Sequence, residues 1–277
     1  MKTVRTLGLL ALAVTLAGGC KKKESDASPD KKAPATANKI TPKKKPMATM
    51  KKKAPAAKPG LSMTTSTDRS KTKPRGKAPT KTERGFAMHT MATAPESTMP
   101  ALNFSMKAFG FVGNLTSIMA ESPALLNSYY LLQQNLLRIG SLTPPEDNIV
   151  QMSIAMENKC QYCVAGHTLA GKVFFKSPAA QIEALRKQAK LPEPKFNALR
   201  DFALQVYERK GRVTNAQFKA FLAAGYTRAQ ALDVVANVAA KVMSNYANQI
   251  ARTPLDKQIK PMAKGLPFAE DRKTIAN

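Results

Sequence analysis

Cys160 and Cys163 stand three residues apart, and His167 follows the second cysteine by four. On a helix turning about 100° per residue the three positions fall within about 60° of one another, so both sulfurs and the imidazole share a face. That grouping suits thiol chemistry: one thiolate attacks, the second thiol resolves the product, and the imidazole takes the proton or steadies the anion. Asn158 is placed to cap a helix starting just after it. Cys160 would then lie in the opening turn, where free N–H groups and the helix dipole favour thiolate, and that argument alone makes Cys160 the better nucleophile. The same residues admit three plainer readings. A zinc site would have Cys160, Cys163 and His167 but lack the fourth ligand of a structural centre, the only other histidine being His89. The cysteines could be an inert packed pair. A structural disulfide would close so small a loop that it adds little stability.

The elements that must hold these residues read as helices. Ser122-Pro123 opens an apolar run through Leu125, Leu126, Tyr129, Tyr130, Leu132, Leu136 and Leu137 that ends at Gly140. Thr143-Pro144-Pro145-Glu146 has capping-box spacing with proline at the first helical position, and Thr214-x-x-Gln217 and Thr227-x-x-Gln230 repeat the box. A last run from Ala231 to about Ile250 places Val234, Val235, Val238 and Val242 at helical intervals. Six or seven helices in the roughly 155 residues from Glu121 onward predict a compact all-α domain with no sheet, whose bounds are drawn at residues 96–277.

With these residues in place, the pattern Thr143-Pro144, Ile149-Val150, Asn158-x-Cys160-x-Tyr162-Cys163-x-x-x-His167-x-x-x-Gly171 resembles the core motif of the alkylhydroperoxidase D / carboxymuconolactone decarboxylase family. Weaker similarity takes in Asn114-Leu115, Ser122 to Leu126, Gly140-Ser141-Leu142, Asn245 to Asn248 and Thr253 to Asp256, covering roughly residues 110–260. The resemblance implies an all-α, homo-oligomeric protein that reduces hydroperoxides or passes electrons to a peroxidase partner. By position it makes Cys163 the peroxidatic thiol, passing through a sulfenic acid, and Cys160 the proton donor and resolving thiol. This order is opposite to the helix-terminus argument. The family's proton-relay glutamate lies twelve residues before the first cysteine, where this chain has Asn148. An amide cannot relay a proton, so Glu146 or Asp147 must substitute, Glu146 being the candidate; Glu157 is a further nearby carboxylate.

The N-terminal part reads differently. Lys2 and Arg5 precede an apolar run from Thr6 to Leu16 and a small-residue exit, Ala17-Gly18-Gly19-Cys20, the layout of a signal peptide over residues 1–19. The run is shorter than the ~20 residues of a membrane-spanning helix. It resembles a bacterial lipobox, with Ala17 where leucine is usual, and implies a lipidated Cys20 anchoring the protein to a membrane, exported and facing the periplasm or exterior. Residues 20–95 then read as a disordered basic tether. Residues 21–85 hold 20 Lys+Arg against 5 Asp+Glu, with almost no large apolar side chains. The formal charge of +26 therefore describes the tether more than the domain. Its clusters Lys21–Lys23, Lys43–Lys45 and Lys51–Lys53 suit an anionic lipid or polymer, and the lack of interleaved aromatics removes the usual platform for single-stranded nucleic acid. Met88, His89, Met91, Met99, Met106 and Met119 form a methionine-rich stretch. It is read as a lead-in whose later methionines pack on the domain, with soft Cu(I) ligation as the sharper alternative.

The function expected is an extracytoplasmic thiol oxidoreductase using Cys163, Cys160 and His167 on a hydroperoxide, recharged by a dithiol electron donor, without cofactor or metal. The alternative is a non-catalytic surface lipoprotein whose helical domain binds a partner and whose lysine-rich tail binds a polyanion. Decarboxylation of the carboxymuconolactone type ranks last, since those relatives generally lack the paired cysteines.

Overall fold

The computed structural model describes residues 77–268, and the signal peptide, Cys20 and the lysine clusters up to Lys53 lie outside the described residues. The described part is all-α, as expected, with nine α-helices, seven of them beyond residue 120, the stretch in which six or seven were counted. Three of them are short: α2 (Asn114–Met119), α6 (Ala179–Arg186) and α8 (Asn215–Ala223). The others are α1 (Met99–Phe109), α3 (Pro123–Ile139), α4 (Pro144–Glu157), α5 (Gln161–Val173), α7 (Pro194–Glu208) and α9 (Arg228–Ala251). None is long and apolar enough to cross a membrane.

The local signals did their work at the helix starts. Ser122 caps α3 by accepting the Leu125 N–H. Thr214 and Thr227 each accept the N–H three residues on, at 3.2 Å, while the side chains of Gln217 and Gln230 reach back to the cap N–H at 2.9 Å. Gly140 ends α3 where any Cβ would lie 2.4 Å from the Leu136 carbonyl oxygen.

Helix α4 is the centre of the molecule. Every residue from Glu146 to Met156 is buried, enclosed by α5, α7 and α9. Its apolar side, with Ile149, Val150 and Met152, joins Val164, Leu199, Ala203 and Val234 in the main core, where Phe221 stacks between Phe202 and Tyr226 at 4.1 and 4.7 Å. A second core gathers Leu102, Ile118, Met119, Leu126, Ala247 and Ala251. Five polar residues of α4 (Glu146, Asp147, Asn148, Gln151 and Ser153) are buried with the rest, and each has a hydrogen-bond partner.

One expectation is corrected here. The tether was drawn to residue 95, but residues 80–88 form an antiparallel pair, β1 (Thr80–Lys81) with β2 (Ala87–Met88) in register Thr80 to Met88, the one small sheet among the described residues. Phe86, Met88, Met91 and Ala94 pack on the second core. A few apolar side chains in a polar stretch sufficed, because the helical body already supplied the surface to cover. Of the valines at helical intervals along the last helix, Val234 is buried and Val235 is 48% exposed. The buried face of α9 runs through Ala231, Val234, Asn237, Lys241, Ser244, Asn245 and Asn248.

Candidate active site

The site is built at the junction of α4 and α5. Helix α4 ends in a Schellman motif: Lys159 takes a left-handed φ of 51°, its N–H reaches the Met156 carbonyl at 3.0 Å, and the Cys160 N–H reaches the Ala155 carbonyl at 2.9 Å. Asn158 is therefore the C-cap of α4, and the expected cap role in α5 falls to Cys160, whose sulfur accepts the Cys163 N–H at 3.4 Å. The Asn158 side chain is spent on tertiary contacts, donating to Asn245 Oδ1 at 3.0 Å and accepting the Tyr207 hydroxyl. Sequence alone could not separate a capping asparagine from one that closes the preceding helix.

This shift reverses the order of the thiols. Cys160 sits just outside the helix and Cys163 in its first turn. Both are buried free thiols. For Cys163 burial opposes ionisation, but it is outweighed by the hydrogen bond from the Cys160 thiol, the nearby Lys241 ammonium and the Asn248 amide, which donates to the sulfur at 3.2 Å. Together they bring Cys163 down to about 6. Burial pushes the Cys160 thiol well above its ordinary range, and donation to its neighbour adds to that. The electrostatics favour ionisation at Cys163 and disfavour it at Cys160.

His167 lies on the same face, one turn on. Its Nδ1–H donates to Asn148 Oδ1 at 2.8 Å and its Nε2 accepts from the Lys241 ammonium at 2.8 Å. Burial, then the charge of Lys241, hold the imidazole well below its usual range, so it is neutral with both nitrogens engaged. Gly171, one turn further along, leaves room for Asn148: a Cβ there would come within 3.2 Å of its amide nitrogen. Tyr162 ties the start of α5 to the rest of the domain, donating to Asp256 Oδ2 at 2.5 Å and accepting the Leu115 N–H at 3.1 Å.

Cys163, His167, Lys241, Asp147, Asn148 and Gln151 form the polar floor of a cavity of about 590 Å³. Its walls are apolar, with Phe104 and Phe109 from α1, Leu126, Tyr130 and Leu136 from α3, and Phe174 beyond α5. Asp147 accepts from Asn237 at 2.7 Å, and burial first, with the charges of Asp233 and Glu146 behind it, pushes its carboxyl up to about 7.

Glu146, the carboxylate expected to stand in for the missing glutamate, is not among the residues lining this cavity. It is held by the helix start, where its Oε2 accepts both the N–H and the hydroxyl of Thr143 at 2.9 and 2.8 Å, while Oε1 faces Lys195 at 3.7 Å. One residue of rotation on α4 is about 100°, enough to put Asp147 on the cavity side and Glu146 away from it. Glu157 is exposed and lies outside the cavity. His89 and the methionines Met88, Met91 and Met106 line a separate surface cavity, with His89 Nδ1 bonded to the Thr93 carbonyl at 3.0 Å. Among the described residues no three His, Cys, Asp or Glu side chains are grouped to hold a metal ion.

Lys241, Asn245 and Asn248 were missed as site residues. Their signal was present: polar residues at 237, 241, 245 and 248 recur every three or four positions along a helix whose middle is mostly apolar. Such a stripe marks either a solvated face or a buried polar one, and only packing tells which.

No protein-family model matches the sequence, and no curated protein matches it. Among solved structures, the chain is similar to a protein from Ralstonia eutropha JMP134 described as an alkylhydroperoxidase AhpD core, an uncharacterized peroxidase-related protein. The TM-score is 0.58 at 24% identity, over 65% of this chain and 95% of that one. An uncharacterized peroxidase-related protein from Silicibacter sp. TM1040 gives a TM-score of 0.57 at 18% identity over 68% and 99% of the two chains. A cysteine-to-alanine variant of the debrominase Bmp8, in complex with 2,3,4-tribromopyrrole, gives 0.52 at 14% identity over 65% and 98%. At these identities the likeness is one of fold. The domain that holds Cys160, Cys163 and His167 therefore has the fold of the alkylhydroperoxidase D core.

Proposed function

We propose that this domain is a thiol-dependent hydroperoxide reductase with Cys163 as the attacking thiolate and Cys160 as the resolving thiol. The observation that carries the reading is a depressed Cys163 thiol on the floor of a 590 Å³ cavity, with a proton-bearing thiol bonded to it. Attack on the outer peroxide oxygen forms a sulfenic acid at Cys163 and releases an alcohol. The Cys160 thiol then displaces water, giving a Cys160–Cys163 disulfide that an external dithiol must reduce. The apolar walls favour an organic hydroperoxide over hydrogen peroxide, since an apolar tail gains roughly 25 cal/mol for each Å² it buries.

The wider setting of the reading is an exported protein, lipidated at Cys20 and held off a membrane by its basic segment, whose lysines attract anionic lipid or polymer. Self-association is supported by large apolar side chains left exposed on α3 and α9, among them Leu131, Ile139 and Leu232 at 60, 80 and 71%.

The test is consumption of an organic hydroperoxide by the reduced protein with dithiothreitol as donor. Wild type should turn over, Cys163→Ser should abolish consumption, and pre-reduced Cys160→Ser without added thiol should consume one equivalent and stop at the sulfenic acid. Undiminished turnover by Cys163→Ser would sink the reading. The same thiolate under aromatic walls also suits attack on a halogenated aromatic ring, the class of ligand bound by the debrominase of similar fold, and tribromopyrrole is the control substrate.

A further inference from the structure

Lys241 is 2% exposed, in the middle of α9, and lines the floor of the cavity. Its ammonium has three N–H bonds to place and gives one to His167 Nε2 at 2.8 Å. Among the described residues no carboxylate pairs with it. A buried ammonium is strongly unfavourable without a counter-charge, and here the balancing anion is the Cys163 thiolate, which the lysine in turn stabilises. His167, the conventional proton manager of such a centre, is poorly placed for the task. Its one N–H points at the Asn148 amide oxygen, which cannot pass a proton on, and its free lone pair is already taken by Lys241.

We propose that Lys241 is the acid of this site, its ammonium holding the departing peroxide oxygen and protonating it as the O–O bond breaks. The inference rests on the hydroperoxide reductase reading. His167 serves as the positioning residue, fixed by Asn148 so that its lone pair holds the ammonium against the cavity floor.

The step balances. The Cys163 thiolate sulfur bonds to the outer oxygen of R–O–O–H and the O–O bond breaks. Sulfur is oxidised to the sulfenic acid, the peroxide is reduced, and the leaving RO⁻ takes a proton from Lys241 to become ROH. The Cys160 thiol then attacks the sulfenic sulfur, forming the disulfide, and its proton leaves with the hydroxide as water. When a dithiol donor reduces the disulfide, two thiols form; Cys163 surrenders its proton to the neutral Lys241 amine, and the starting pair returns. Buried charge is matched at each stage. Thiolate faces ammonium before the reaction, and uncharged sulfur faces uncharged amine after it.

The experiment compares two oxidants on the full-length reduced protein in single-turnover mixing. Cumene hydroperoxide expels a strongly basic alkoxide that needs a proton, and peracetic acid expels a weakly basic carboxylate that does not. Rates are divided by the thiolate fraction of each variant, measured from the pH dependence of alkylation, so that a shifted Cys163 is not mistaken for a lost acid. Lys241→Met should lose roughly 10²- to 10⁴-fold with cumene hydroperoxide, the usual contribution of a general acid, and under tenfold with peracetic acid. Lys241→Arg keeps the charge but has no transferable proton, so it should keep Cys163 ionised and show the same split. Equal losses with both oxidants, or a wild-type cumene hydroperoxide rate in Lys241→Arg, would overturn the proposal. A split appearing in Asp147→Asn instead would move the role to that carboxyl, which lines the same floor. A wild-type protein that reacts with neither oxidant would refute the reductase reading itself.

Discussion

Replacing Asn248 by leucine isolates one contribution to the Cys163 thiolate. The Asn248 amide donates to the Cys163 sulfur at 3.2 Å and its Oδ1 has no partner, so leucine of similar size removes a single bond from a fully buried position. A hydrogen bond to a charged group contributes about 1.5–3 kcal/mol, or about 1–2 pH units in the midpoint. Losing a bond made to the charged form raises the value, so the midpoint should move from about 6 to between about 7 and 8. At pH 7 the ionised fraction falls from about 90% to between about 50% and 10%. The assay is the rate of iodoacetamide alkylation against pH on the reduced protein, with Cys160 silent over this range because its own thiol is pushed far up. Stability carries the same signature. A thiol depressed on folding contributes stability that is present above its unfolded value of 9.0 and lost as pH falls through about 6, so reduced wild type should gain stability across that window and the variant over a narrower one. An alkylation midpoint unmoved by the substitution would refute the assignment of Asn248 as a thiolate donor, and would leave the choice of Cys163 over Cys160 to the Cys160 hydrogen bond and the Lys241 charge.

Two further outcomes follow from the geometry. Glu146→Ala removes both bonds to Thr143 at the start of α4 and the ion pair to Lys195, so chemical denaturation should register a loss of about 1–2 kcal/mol. The alkylation midpoint of Cys163 should stay where it is, and a moved midpoint would restore Glu146 to the site. Gly166 lines the cavity and a Cβ there meets nothing within 4 Å. Gly166→Ala should therefore stabilise the helix by up to about 1 kcal/mol in thermal unfolding, while Gly166→Leu should fill the cavity and slow cumene hydroperoxide at least tenfold more than hydrogen peroxide. Equal slowing of both would show that the cavity is not the route to the sulfur.

What the sequence determined by itself was the local chemistry and the local boundaries. Cys163 and His167 share a face because helical spacing requires it, and Thr143, Ser122, Thr214 and Thr227 start helices because a side-chain oxygen three residues before a free N–H satisfies it. The helical class followed from the same signals. Tertiary structure decided everything that depends on which way a helix is turned and what lies across from it. Asn158 closes one helix instead of opening the next, so Cys160 becomes the cap and Cys163 falls in the first turn. Glu146 and Asp147 are adjacent in sequence, yet a rotation of about 100° sends one to a capping box and the other to the cavity. Lys241 lies 74 residues beyond His167, and no local pattern reports that their nitrogens stand 2.8 Å apart. Spacing along the chain fixes angles within a helix, but the charge beside a sulfur, and hence its reactivity, is set by the packing of α9 against α4 and α5.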